Sequence, residues 1–94
     1  MKIYNSTKLL NTVSKEVIGL LWDYFIDKRF IDGEIVLINI SKFNDDNIHL
    51  VKYKSIINDK NDNIFYIKVF KHTEVDILIL NNNDSKIMIL KDEF

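Results

Sequence analysis

At 94 residues the chain is one domain long, enough to bury roughly two-thirds of its unfolded surface, and 47% apolar residues can fill a core unaided. The absence of cysteine excludes disulfides, thiolate nucleophiles and cysteine-built zinc sites, and two glycines are too few for a phosphate loop or dinucleotide fingerprint. With 13 basic against 14 acidic residues the net charge is −1, the balance of neither a basic nucleic-acid binder nor an acidic DNA mimic.

In chain order, MKIYNSTKLL (1–10) has no apolar stretch of signal-peptide length, and no run approaches the roughly 20 residues that span a bilayer. A cytoplasmic protein is expected. Lys8 to Val13 reads as a short strand. Ser14 is a good N-cap, with Glu16 in the first turn to complement the helix dipole. Val17, Leu20, Leu21, Tyr24 and Phe25 then recur at helical spacing, and Ile18, Trp22 and Ile26 add a second stripe. Lys28 and Arg29 are placed in the last turn of this helix, and Asp32-Gly33 ends the connection.

From Glu34 the period changes to 2 and β-branched residues dominate. Residues 34–43 and 48–57 read as strands joined by the turn Asn44 to Asn47. A polar loop over 58–63 leads to a third strand, 64–71. Val75 to Leu80 and Lys86 to Leu90 form a second hairpin around a turn at 81–85. The expected fold is α+β over residues 1–94: one amphipathic N-terminal helix packed on a mostly antiparallel sheet of four to six strands.

The composition carries a genomic bias: 16 Ile, 11 Asn and 12 Lys against one Arg, with no Ala, Pro or Gln. Such usage fits an AT-rich genome, hence a low-GC bacterium or one of its phages. KEVIGLLWDYFID (15–27), with its Leu-Trp and Ile-Asp pairs, and DILILNNNDSKIMILKDEF (76–94) resemble a small family of Gram-positive bacteria and phages, domain of unknown function nine-sixty. The likeness at the chain end runs through Met88, Ile89, Leu90, Asp92, Glu93 and Phe94, and 31–43 fits the family's central strand loosely. After that strand the family has a His followed by a Gln-Glu-x-Pro-like stretch, whereas this chain has His49-Leu50-Val51-Lys52-Tyr53. The resemblance implies a fold and no chemistry, because the family has no assigned activity.

Catalytic and metal chemistry find little support. His49 and His72 are the only histidines, and their spacing from Asp45 and Asp46 matches no ligand motif. None of the five serines lies in a nucleophile elbow. Asp23 and Asp27, four apart on a helix, read as a solvated face in mild mutual repulsion. The expectation is therefore no enzyme, no metal and no cofactor.

Two binding readings remain. Lys52 and Lys54 share one face of a strand, with Tyr53 on the other, and Tyr66, Lys68 and Lys71 fall on the next. Such a lysine-and-aromatic face can bind single-stranded nucleic acid, although a lone Arg removes the commonest reader of base edges. The heavier signal is 11 aromatics, too many for one small core. If one helical stripe faces the sheet, Ile18, Trp22, Phe25 and Ile26 are left near the rim as candidate interface residues. The leading expectation is a non-enzymatic protein that binds a protein partner or itself, in its sharpest form a phage inhibitor of host defence of the anti-CRISPR type. The alternative is a single-stranded nucleic-acid-binding module.

Overall fold

A computed structural model describes residues 2–57 and 60–94. Its elements are β1 (Lys2–Asn5), α1 (Thr7–Thr12), α2 (Lys15–Phe25), β2 (Ile35–Lys42), β3 (Ile48–Ser55), β4 (Asn63–Lys68), β5 (Val75–Asn82) and β6 (Ser85–Leu90), closed by a 3-10 turn over Lys91–Glu93. Asn58 and Asp59, the first two positions of the loop expected over 58–63, lie outside the described residues.

Two serines start the two helices. Ser14 Oγ accepts the Val17 N–H at 3.3 Å, as its position in the sequence predicts. Ser6 Oγ does the same for Leu9 N–H at 3.1 Å, and this second cap overturns the strand expected at 8–13. Leu9 and Val13 point into the core while Asn11, which a strand would put on the same face, is exposed, so the stretch obeys the helical period rather than the period of 2. The N-terminal strand lies earlier, over Lys2–Asn5.

α2 buries Val17, Ile18, Leu21, Trp22 and Phe25, while Leu20 and Tyr24 are only partly covered. The stripe against the sheet is therefore rotated from the one expected. The helix also ends at Phe25, without a basic residue in its last turn. Lys28 and Arg29 fall beyond it, as does Asp27, which therefore does not share a helix face with Asp23.

The six strands form one sheet in the order β1-β6-β5-β2-β3-β4. All neighbours are antiparallel except the edge pair β1 and β6, which run parallel. The β2–β3 hairpin closes at Asn47, which takes the left-handed conformation (φ 65°) that asparagine tolerates well, while Asn44 Oδ1 accepts the Asp46 N–H at 2.9 Å. The β5–β6 turn is tighter than expected, because Asn82 pairs with Ser85. β4 ends at Lys68, leaving Phe70 and Lys71 outside it. Gly33 precedes β2 with φ 87°, a conformation few other residues adopt, and donates its N–H to Asn81 O at 2.7 Å.

The helices cover one sheet face only. Val36, Ile38, Ile40, Val51, Tyr53, Ile77, Ile79, Met88 and Leu90 meet Leu9, Val13 and the buried stripe of α2 there. An aromatic group closes the β3–β4 end: Tyr24 stacks on Phe65 at 3.8 Å, and Phe25 meets Tyr53 edge-on at 4.9 Å. The Tyr24 and Tyr53 hydroxyls lie 2.9 Å apart, so these rings bury area without stranding their polar tips.

Candidate interaction surface

The residues that alternate with this core form the opposite face, and no element of the described residues covers them. Ile35 and Leu37 of β2, Leu78 and Leu80 of β5, and Ile87 and Ile89 of β6 lie outside the helix-side core. Register places them in two adjoining rows. Leu37 pairs with Leu78, and Leu78 with Ile89; Ile35 pairs with Leu80, and Leu80 with Ile87. Tyr4 of β1, half exposed, extends the second row across Ile87. Leu78 at the centre is only 3% exposed, shielded by its sheet neighbours, whereas Ile35, Leu37, Leu80, Ile87 and Ile89 remain half-buried. An antiparallel sheet usually shows water a polar face. This one shows water an aliphatic strip three strands wide.

Four lysines stand around the strip, on a face that β1, β3 and β4 continue with Tyr4, Ile48, Leu50, Ile64 and Tyr66. Lys54 lies across from Leu37, Lys52 across from Asn39, Lys68 on β4 across from Ile48, and Lys2 on β1 across from Ser85. None of the four makes an ion pair among the described residues. The face carries one strand carboxylate, Asp76, and its Oδ1 accepts a hydrogen bond from Asn39 Nδ2 at 2.7 Å. Beyond Lys52, half-exposed Phe43 and Tyr66 meet edge-on with centroids 5.0 Å apart.

This geometry redistributes the sequence candidates. Ile18, Trp22 and Phe25 are no rim: they are 5%, 6% and 0% exposed, and only Ile26 reaches the surface, at 37%. The reason is a second helix, whose cap is local, and a parallel edge strand, whose pairing with β6 the linear pattern does not announce. Trp22 is held by that strand, its indole N–H donating to Asn5 Oδ1 at 2.8 Å. By contrast Lys52, Lys54, Tyr66 and Lys68 do come together on the uncovered face, while Lys71 lies in the loop after β4. Of the 11 aromatics, Tyr4, Phe43, Tyr66, Phe70 and Phe94 are exposed.

The two histidines approach to 6.1 Å between ring centroids. His49 is 2% exposed; its Nε2 accepts the Thr73 N–H at 3.1 Å and its Nδ1 faces Asn47 O at 3.2 Å. Both nitrogens thereby tie loops to β3, and the Thr73 bond requires a neutral ring. Asp45 turns instead to Lys42, at 3.2 Å. Among the described residues no three His, Asp or Glu side chains converge on a point. A cleft of about 420 Å³ lies off the strip, between Thr12, Val75, Asp76, Leu90, Lys91 and Asp92, and holds neither histidine.

One buried charge escaped the sequence reading. Lys86, on the core face of β6, is 2% exposed. Its Nζ donates to Phe25 O at 2.7 Å and also to Lys28 O, with Ile26 O at 3.5 Å. A lysine from the sheet thus caps the C-terminus of α2, supplying the cation that its last turn lacks. Burial pulls its ammonium below the usual lysine value, Asp27 pulls back, and Lys28 adds to the drop. The signal was present in the alternation, since Lys86 shares a face with Met88 and Leu90.

The strip was signalled too. Ile35 to Ile38, Ile77 to Leu80 and Ile87 to Leu90 are apolar in both phases of the period of 2, which asks for cover on both faces. The chain is a two-layer α+β protein with helices on one face of its sheet, and no helix is long and apolar enough to cross a membrane among the described residues. No family model matches the chain, and neither a curated protein nor a solved structure matches it.

Proposed function

We propose that this is a non-enzymatic protein-binding domain and that the helix-free sheet face, rather than α2, is its docking surface. The observation that carries the reading is the double row Leu37–Leu78–Ile89 and Ile35–Leu80–Ile87, aliphatic side chains on an antiparallel face that nothing in the described residues covers. Contiguous apolar surface of this kind on a small protein marks an interaction site. An inhibitor of host defence, acting by occlusion of a larger protein, is the narrower form of the proposal. Membership of the family that 15–27 and 76–94 resemble would add no chemistry to it.

A photo-crosslinking residue at position 87 or 54, compared with one at Lys15 on α2, tests the reading in a low-GC bacterial host. Discrete cross-linked partners are expected from 87 and 54, and Leu37→Asp should abolish them while the isolated domain stays folded. Cross-links from Lys15 alone would move the interface back to the helices. The second reading, single-stranded nucleic acid, is favoured by Lys52, Lys54, Lys68 and the exposed Phe43–Tyr66 pair on the same face. Its measure is fluorescence anisotropy with labelled oligonucleotides at about 0.15 M salt, where negligible binding is expected.

A further inference from the structure

The division of the open face into an aliphatic strip and lysine flanks says what kind of partner it suits. We infer that the strip receives an acidic amphipathic helix of a partner protein, an inference that rests on the docking reading above. The width argues for a helix. The strands β6, β5 and β2 together span about 10 Å between outer axes, close to the 10–12 Å diameter of a helix with its side chains. A helix laid along β5 sets its apolar stripe on Leu78 and Leu80, between the side chains of Ile87, Ile89, Ile35 and Leu37.

The charge argues for acidic flanks. On one side of such a helix stand Lys54 and Lys52 of β3, and on the other Tyr4 of β1 with Lys2 one row further on, across from Ser85. These ammonium groups have no carboxylate partner among the described residues, although the whole chain carries a net charge of −1. Glutamates or aspartates beside the apolar stripe would meet lysine on both flanks. A lysine-flanked helix would meet like charge on both, which is how electrostatics selects partners. A second copy of this chain fits less well, since two such faces would bring lysine rows together.

The test uses the full chain and two synthetic helical peptides, each about 14 residues and roughly 20 Å long. Both carry the same leucine stripe; one has glutamate flanks and the other lysine flanks. Anisotropy titrations at about 0.05 and 0.3 M salt should show the glutamate peptide binding at least about tenfold tighter at low salt, with the advantage shrinking at high salt. The double variant Lys52→Glu/Lys54→Glu should reverse the preference, a result that simple misfolding cannot produce. Equal binding of both peptides, lost in Leu37→Asp, would overturn the acidic-partner inference and leave the docking face standing. Binding of neither peptide, or displacement of the glutamate peptide by a dT oligonucleotide, would also overturn the inference; only the absence of cross-links from 54 and 87 would remove the docking reading itself.

Discussion

Lys86 shows how one side chain can serve two elements. Its stem fills the core beside Met88, and its ammonium gathers the carbonyls that end α2. Replacing it with methionine keeps the volume and strands those carbonyls, so Lys86→Met should cost about 1–3 kcal/mol in urea unfolding at neutral pH. The pH dependence has a definite sign. Burial lowers the folded-state value below 10.5, so between the two values the unfolded chain binds the extra proton and stability rises with pH. Below that interval both states are charged and the burial cost is fully present. The wild type should therefore gain on Lys86→Met as the pH rises toward 10.5; a gap that narrows instead would show that the carbonyl contacts outweigh desolvation. His49 works in the same manner without a charge, joining the loops at Asn47 and Thr73.

At the scale of elements, α2 is held on more sides than an ordinary surface helix. The sheet takes Val17, Leu21 and Phe25, and β1 takes Trp22 through Asn5. Trp22→Ala should then act on stability, by about 3–5 kcal/mol in chemical unfolding, as a core truncation does. Trp22→Phe keeps most of the buried area but loses the indole bond at 2.8 Å, at about 1 kcal/mol. A folded Trp22→Ala domain with an unchanged melting curve would return Trp22 to the list of interface residues. The β2–β5–β6 strands have the opposite property. They are held on one face and apolar on two, which makes the second face the part of the fold whose sequence the monomer alone does not explain.

At the scale of the molecule, the two ends of the chain close on one another. β1 lies parallel on β6, Lys2 N–H reaches Asp84 O at 2.9 Å, and Ser6 N–H reaches Met88 O at 3.0 Å. Ser6 Oγ donates to Glu93 Oε1 at 2.6 Å, and Lys8 meets Asp92 at 3.1 Å. Removing residues 2–5 should free the β6 edge and release Trp22 from Asn5. A loss of about 2 kcal/mol, or roughly 8–16 °C in melting temperature, is expected, with self-association in sedimentation velocity as the bared strand seeks a partner. A shortened chain that melts as before and stays monomeric would show that β1 is an ornament to the sheet.

How much of this was legible in the sequence follows from how local each determinant is. The Ser14 cap, the existence of α2, the two hairpins and the α+β class depend on neighbours within a few positions, and periodicity alone places them. Lys52 and Lys54 share a strand face for the same reason, and register only adds Tyr66 and Lys68 beside them. The Ser6 cap and the Leu9–Val13 spacing were local too, and alternation already set Lys86 beside Met88. What the tertiary structure alone decided is which apolar stripe is covered. Trp22 is core because a strand 17 residues earlier, paired with the far end of the chain, lies over it. Leu37, Leu78 and Ile89 lie on the helix-free face because both helices pack on the other side of the sheet. Two apolar faces look alike to a period of 2; only the placement of the helices breaks the tie.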